Sequence, residues 1–124
     1  MTELSLATRS SRVASVERPI DLVHLARMTL GERSLEREVL QLFDRQAMIL
    51  MSRMQAASAD AVASLAHTLK GSARAIGAAH VARAAEALEL IDVSASADLT
   101  RALAELRAAT EQARDFIADL LRAH

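Results

Sequence analysis

At 124 residues the chain fits one compact domain, long enough to bury a core without metal or disulfide support. Its 52% hydrophobic and 25% charged residues, with three Gly and one Pro, suit a helical globular fold and exclude low-complexity chains. Fifteen basic residues against sixteen acidic ones leave a formal net charge of -1, and Trp, Tyr and Cys are absent. That balance argues against polyanion steering, base stacking, disulfides and thiol chemistry, so nucleic acid is not an expected partner.

Residues 1 to about 18 are rich in Ser, Thr and Arg and show no sustained period, which predicts a flexible N-terminal tail. Residues 19–124 are the expected folded domain. The opening Met1-Thr2-Glu3-Leu4-Ser5-Leu6 has no basic start before an apolar core, and no stretch is long and apolar enough to span a bilayer. The expectation is an unexported cytoplasmic protein without membrane contact.

Pro19 and Asp21 introduce a short helical pattern through Leu22, Val23, Leu25, Ala26 and Met28, with Asp21 as N-cap and Gly31 as its close. Ser34 then caps a longer predicted helix whose stripe is Leu35, Val39, Leu42, Phe43, Ala47, Leu50 and Met54. Leu40, Met48 and Met51 fall outside that stripe, so the short first helix or the tail is expected to cover a second side. The run from Ala47 to Met51 reads as helix core, and the methionines as gap-filling core.

After the small, polar stretch Gln55 to Ala59, Ser58 or Asp60 begins a third helix that Gly77 ends in the left-handed conformation. Val81, Ala84, Ala85, Leu88 and Ile91 mark a fourth. Asp92 to Ala97 is a loop, and from Asp98 a last helix carries Leu99, Leu103, Leu106, Thr110, Ala113, Ile117 and Leu120 at near-heptad spacing. The predicted fold is all-α, an antiparallel four-helix bundle with a short additional N-terminal helix.

The chemistry concentrates in the third helix. At about 3.6 residues per turn, Asp60, Ala63, Ser64, Lys70, Gly71, Arg74 and Ala78 gather around His67, while Val62, Leu65, Leu69 and Ile76 lie opposite. A histidine offers a neutral nitrogen nucleophile near physiological pH and can take a phosphoryl group. Lys70, one turn on, supplies a fixed cation for such a group, and Arg74 extends a positive edge. Glycine inside a helix costs roughly 1 kcal/mol relative to alanine, so Gly71 beside the imidazole calls for a reason, and access for a partner supplies one. Ala63 and Ser64 on the preceding turn are small as well, which extends the docking surface. His24, His80 and His124 lack companions at metal-ligand spacing, so no metal site is expected.

The run His67-Thr68-Leu69-Lys70-Gly71-Ser72-Ala73, continuing to Ile76-Gly77-Ala78, resembles the signature of histidine-containing phosphotransfer domains. Leu65-Ala66 before it and Ala87-Leu88-Glu89 in the next helix extend the resemblance to about residues 20–121. The resemblance implies a module that takes a phosphoryl group on His67 from the aspartate of one receiver domain and returns it to another. Lys70 then assists electrostatically, Gly71 permits approach, Ser72 and Gly77 support the motif, and phosphorylation falls on the exposed ring nitrogen. Ala75 stands where many relatives carry a polar residue, which alters the docking rim.

The implied partners are receiver domains of a hybrid histidine kinase and of a response regulator, with the protein itself a monomer. No cofactor of its own is expected, because the receiver supplies the magnesium, and no kinase or nucleotide-binding activity is expected either. The competing reading is a helical adaptor that binds a response regulator or another helix through the same face without being phosphorylated.

Overall fold

A computed structural model describes residues 18–92 and 94–123. Almost all of the expected tail, together with His124, lies outside the described residues. Five helices follow in order: α1 (Leu22–Met28), α2 (Arg33–Ala56), α3 (Ala59–Ile76), α4 (Ala79–Glu89) and α5 (Ser96–Ala123). The described residues contain no strand. As predicted, four helices form the bundle and α1 is the short addition.

Cross-helix contacts fix the antiparallel register of the long helices. Arg37 Nη1 donates to the Leu121 carbonyl at 2.9 Å and Arg114 Nε reaches Asp44 Oδ1 at 2.8 Å, so α2 and α5 run in opposite directions. Along α3 and α4, Arg74 meets Glu86 while His67 meets Glu89. That pair of helices packs most extensively of all. The buried residues of the two helices include Ala66, Ala73, Ala82 and Ala85 beside Leu69, Val81 and Leu88. Small side chains at a helix contact let the axes approach closely, and here they bring polar groups on both edges of the seam within reach of each other.

Helix ends follow the sequence in part. Asp21 Oδ1 accepts from the Val23 and His24 amides and caps α1. Ser58 caps α3 through the Ala61 amide, and Gly77 closes it at φ 84°. Ser34 caps nothing. The α2 helix starts two residues earlier than a Ser34 cap would place it, at Arg33, from the extended backbone of Glu32, which makes no side-chain cap. Likewise α5 begins at Ser96, because Asp92 closes the preceding turn by accepting from the Ser94 amide and hydroxyl, bonds that hold its carboxyl below the usual range.

The stripe of α2 is rotated from its predicted position. Leu40, Phe43, Ala47, Leu50, Met51 and Met54 are buried, while Leu42 is 58% and Met48 48% exposed. Ile49 is exposed too, so the run from Ala47 to Met51 is only partly core. With about 3.6 residues per turn, neighbours on one side cannot cover five consecutive residues. Leu40 and Met51 are core rather than a separate second face. Ala78, expected on the histidine face, lies past the glycine turn and is fully buried.

Helix α1 is fastened to the end of α3 by main chain and imidazole. The Asp21 amide donates to the Gly77 carbonyl at 2.9 Å, and His24 Nε2 lies 2.9 Å from the Ala75 carbonyl. His24 is thus structural, giving the C-terminal carbonyls of α3 a donor they otherwise lack. A Cβ on Gly77 would stand 3.2 Å from the Asp21 carbonyl oxygen and from His24 Cβ, at a φ that L residues rarely adopt. Gly77→Ala is therefore expected to destabilise the bundle by about 1–2 kcal/mol or more. Denaturant unfolding checks this, and an unchanged midpoint would contradict the strain at that turn.

Candidate functional site

Helix α3 is amphipathic by composition, with Val62, Ala66, Leu69, Ala73 and Ile76 buried and Leu65 packed at the core margin. His67 stands on the opposite side, its side chain 70% exposed. Ser64 and Gly71 beside it are exposed and Ala63 is half-buried, so the docking surface expected on this face is open to solvent. A Cβ built on Gly71 meets nothing within 4 Å. No packing requirement of the bundle accounts for the glycine.

Glu89 is the group that sequence reasoning left without a role. Its Oε2 lies 3.1 Å from His67 Nδ1, and its Oε1 lies 2.8 Å from Lys70 Nζ. The Glu89 side chain is 21% exposed and that of Lys70 only 15%. The Lys70 bond, with a lesser part from His67, holds the Glu89 carboxyl below the usual carboxylate range, against the opposing effect of partial burial. An ionised carboxylate only accepts, so Nδ1 carries the hydrogen and donates to Oε2. Nε2 then keeps its lone pair, on a side chain that is 70% exposed.

The expected positive edge is corrected by these pairings. Lys70 is drawn into the α3–α4 seam by Glu89, and Arg74 Nη2 is 2.7 Å from Glu86 Oε2. Two cations thus face two carboxylates spaced one turn apart on α4. The Arg74 pair is largely exposed and contributes at most about 1 kcal/mol, so it orients its side chains more than it stabilises the bundle. Ser72, placed by helical angle toward the buried side, is half-buried and donates to Gln46 Oε1 at 2.8 Å, tying α3 to α2. Gly77 acts at the end of α3, away from the imidazole, as the seat of α1.

One signal in the sequence locates Glu89. The two-residue connection Gly77-Ala78 makes α3 and α4 a hairpin, and reflecting His67 through that turn lands at Leu88-Glu89. Leu88 is buried, which leaves Glu89 at the seam's edge beside the histidine.

Among the described residues, no group of three or more His, Cys, Asp or Glu is placed to hold a metal ion, and no helix is long and apolar enough to cross a membrane. The bundle presents the open His67 ring on α3, steadied from behind by Glu89 of α4. Compared with known families, the chain matches the Hpt domain over residues 33–116, and it belongs to that family. Its members serve histidine phosphotransfer in phosphorelays. No curated protein and no solved structure matches the chain. Helix α1 lies before the matched span in the sequence, whereas its seat at Ala75 and Gly77 lies within it.

The Glu89 contacts make a prediction about acid. Because the folded-state pKa lies below that of the unfolded chain, Glu89 contributes stability above its unfolded pKa and loses it as the pH falls through the folded value. The stability difference between wild type and Glu89→Gln should be largest near neutral pH and shrink below the ordinary value of 4.5. Thermal unfolding across that range measures it, and a difference independent of pH would contradict the ion pair.

Proposed function

We propose that this chain is a phosphorelay carrier that accepts a phosphoryl group on His67 from a receiver-domain aspartate and passes it to the aspartate of another receiver. The observation that carries this reading is the His67 ring itself, its side chain 70% exposed, with Nδ1 engaged by Glu89 and Nε2 left outside that contact. In the step, the Nε2 lone pair attacks the phosphorus of an aspartyl phosphate. The P–O bond breaks to return a carboxylate, and a P–N bond forms. Reversal toward a second receiver regenerates the free imidazole.

Around that atom the chain contributes position and access. The bare backbone at Gly71 and the small side chains of Ala63 and Ser64 let the partner's active site close over the ring. Lys70, one turn away, gives electrostatic support to the phosphoryl group, and Arg74 at the rim serves recognition. Magnesium and most of the catalytic apparatus belong to the receiver in this reading. The chain performs no kinase chemistry itself and acts as a monomer in the cytoplasm, where receivers of a hybrid kinase and a response regulator meet it.

Incubation with a phosphorylated hybrid histidine kinase should place an acid-labile label on wild type and none on His67→Gln. Equal labelling of both would exclude the acceptor. Binding of a receiver without any label would favour the adaptor reading.

The glycine gives a second, separable test. Gly71→Ala is expected to stabilise the helix by up to about 1 kcal/mol, since the added methyl meets nothing, while slowing transfer. Gly71→Leu should leave the bundle folded and slow transfer sharply. Denaturant unfolding and transfer rates measured on the same variants check both, and undiminished transfer in Gly71→Leu would remove the steric account.

A further inference from the structure

Transfer to Nε2 changes the charge of the ring as well as its substituent. The neutral imidazole that attacks keeps its Nδ1 hydrogen, so the phosphorylated ring is a phosphoimidazolium with a positive charge shared over both nitrogens. No proton has to leave or arrive for this. The group placed to feel the new charge is Glu89, 3.1 Å from Nδ1.

We propose that the charge of Glu89, beyond its hydrogen bond, keeps the phosphorylated ring protonated and so sets how readily His67 gives up its phosphoryl group. This rests on the phosphocarrier reading above. An N-phosphoimidazole loses its phosphoryl group readily when the second nitrogen is protonated, because the leaving group is then a neutral imidazole. When that nitrogen is deprotonated the leaving group is an anion and the P–N bond persists. A carboxylate against Nδ1 favours the protonated form and extends it to higher pH. Glu89 is thus a positioning residue that acts through His67 and touches neither the phosphoryl group nor the partner.

The other charged groups around the ring do not supply this effect. On α3 itself, Asp60 stands two turns back, about 10 Å along the axis, while Lys70 is paired with Glu89 and Arg74 with Glu86, both cations that disfavour charge on the ring. From α4, Glu86 is taken by Arg74, so Glu89 is the anion that meets Nδ1. From α2, Gln46 is bonded to Ser72, and the residue seven positions on along the same edge, Arg53, is a further cation. From α1, Asp21 and His24 sit at the far end of α3, about 15 Å along its axis from His67. Lys70 has a second part in the exchange. Once the ring itself answers the Glu89 charge, the Lys70 ammonium is freed to turn toward the phosphoryl group, one helical turn away.

The test uses the whole chain loaded with phosphoramidate, a small-molecule phosphoryl donor, so that no partner protein enters the measurement. Loss of the phosphoryl group is followed by phosphorus NMR as a function of pH for wild type, Glu89→Gln and Glu89→Ala. Glutamine keeps an acceptor for the Nδ1 hydrogen and removes only the charge. The pH midpoint of phosphoryl loss should fall by about one unit in Glu89→Gln, making loss several-fold slower near neutral pH, with Nε2 still the site of modification. In Glu89→Ala the midpoint should fall likewise, with modification no longer confined to Nε2. Superimposable profiles for wild type and Glu89→Gln would overturn the proposal while leaving the carrier reading intact. Failure of wild type to load at His67 from both phosphoramidate and a phosphorylated receiver would overturn the carrier reading and this inference with it. Helical circular dichroism of each variant establishes that the bundle is folded.

Discussion

The α3–α4 seam is the constraint on which the rest of the molecule depends. Alanines at its centre let the two helices approach closely, and the two-residue turn at Gly77-Ala78 fixes which residues face one another. Close approach and fixed register together place Glu89 against both His67 and Lys70. Neither the helix propensity of α3 nor the signature within it would alone produce a ring held in one orientation. The seam converts an exposed histidine, which on a lone helix would sample several rotamers, into one with a defined nucleophilic edge.

Electrostatics at the site are those of a balanced network rather than a positive patch. Lys70 and Arg74 face Glu89 and Glu86 one turn apart, so the resting face carries little net charge of its own. The outward-facing Leu42 and Ile49 lie on the same edge of α2 as Gln46, which Ser72 ties to the histidine helix.

Much of this was legible in the sequence, and the limits have a common physical origin. The helix count, the Asp21 cap, the left-handed Gly77 and the open face around His67 all follow from local spacing and backbone preference, which left Ser58 and Asp60 both open as the start of α3. The rotation of the α2 stripe, which exposes Leu42 and Met48 and buries Leu40 and Met51, depends on where α3 and α5 sit. Periodicity within one helix does not carry that information. The same holds for Lys70, a fixed cation by spacing along α3 and a half-hidden partner of Glu89 once α4 is in place. Ser34 lost its cap because the chain enters the helix from Glu32, a matter of the turn before it.

Which nitrogen of His67 carries the hydrogen decides whether the ring can act as a nucleophile at Nε2, and nitrogen NMR of the unphosphorylated, neutral ring reports it directly. Free histidine favours hydrogen on Nε2, so an environment that reverses the preference leaves a clear mark. The Glu89 contact predicts hydrogen on Nδ1 and an unprotonated Nε2 in wild type. A ring with its hydrogen on Nε2 would contradict the account, because the exposed edge would then present a donor where a nucleophile is required.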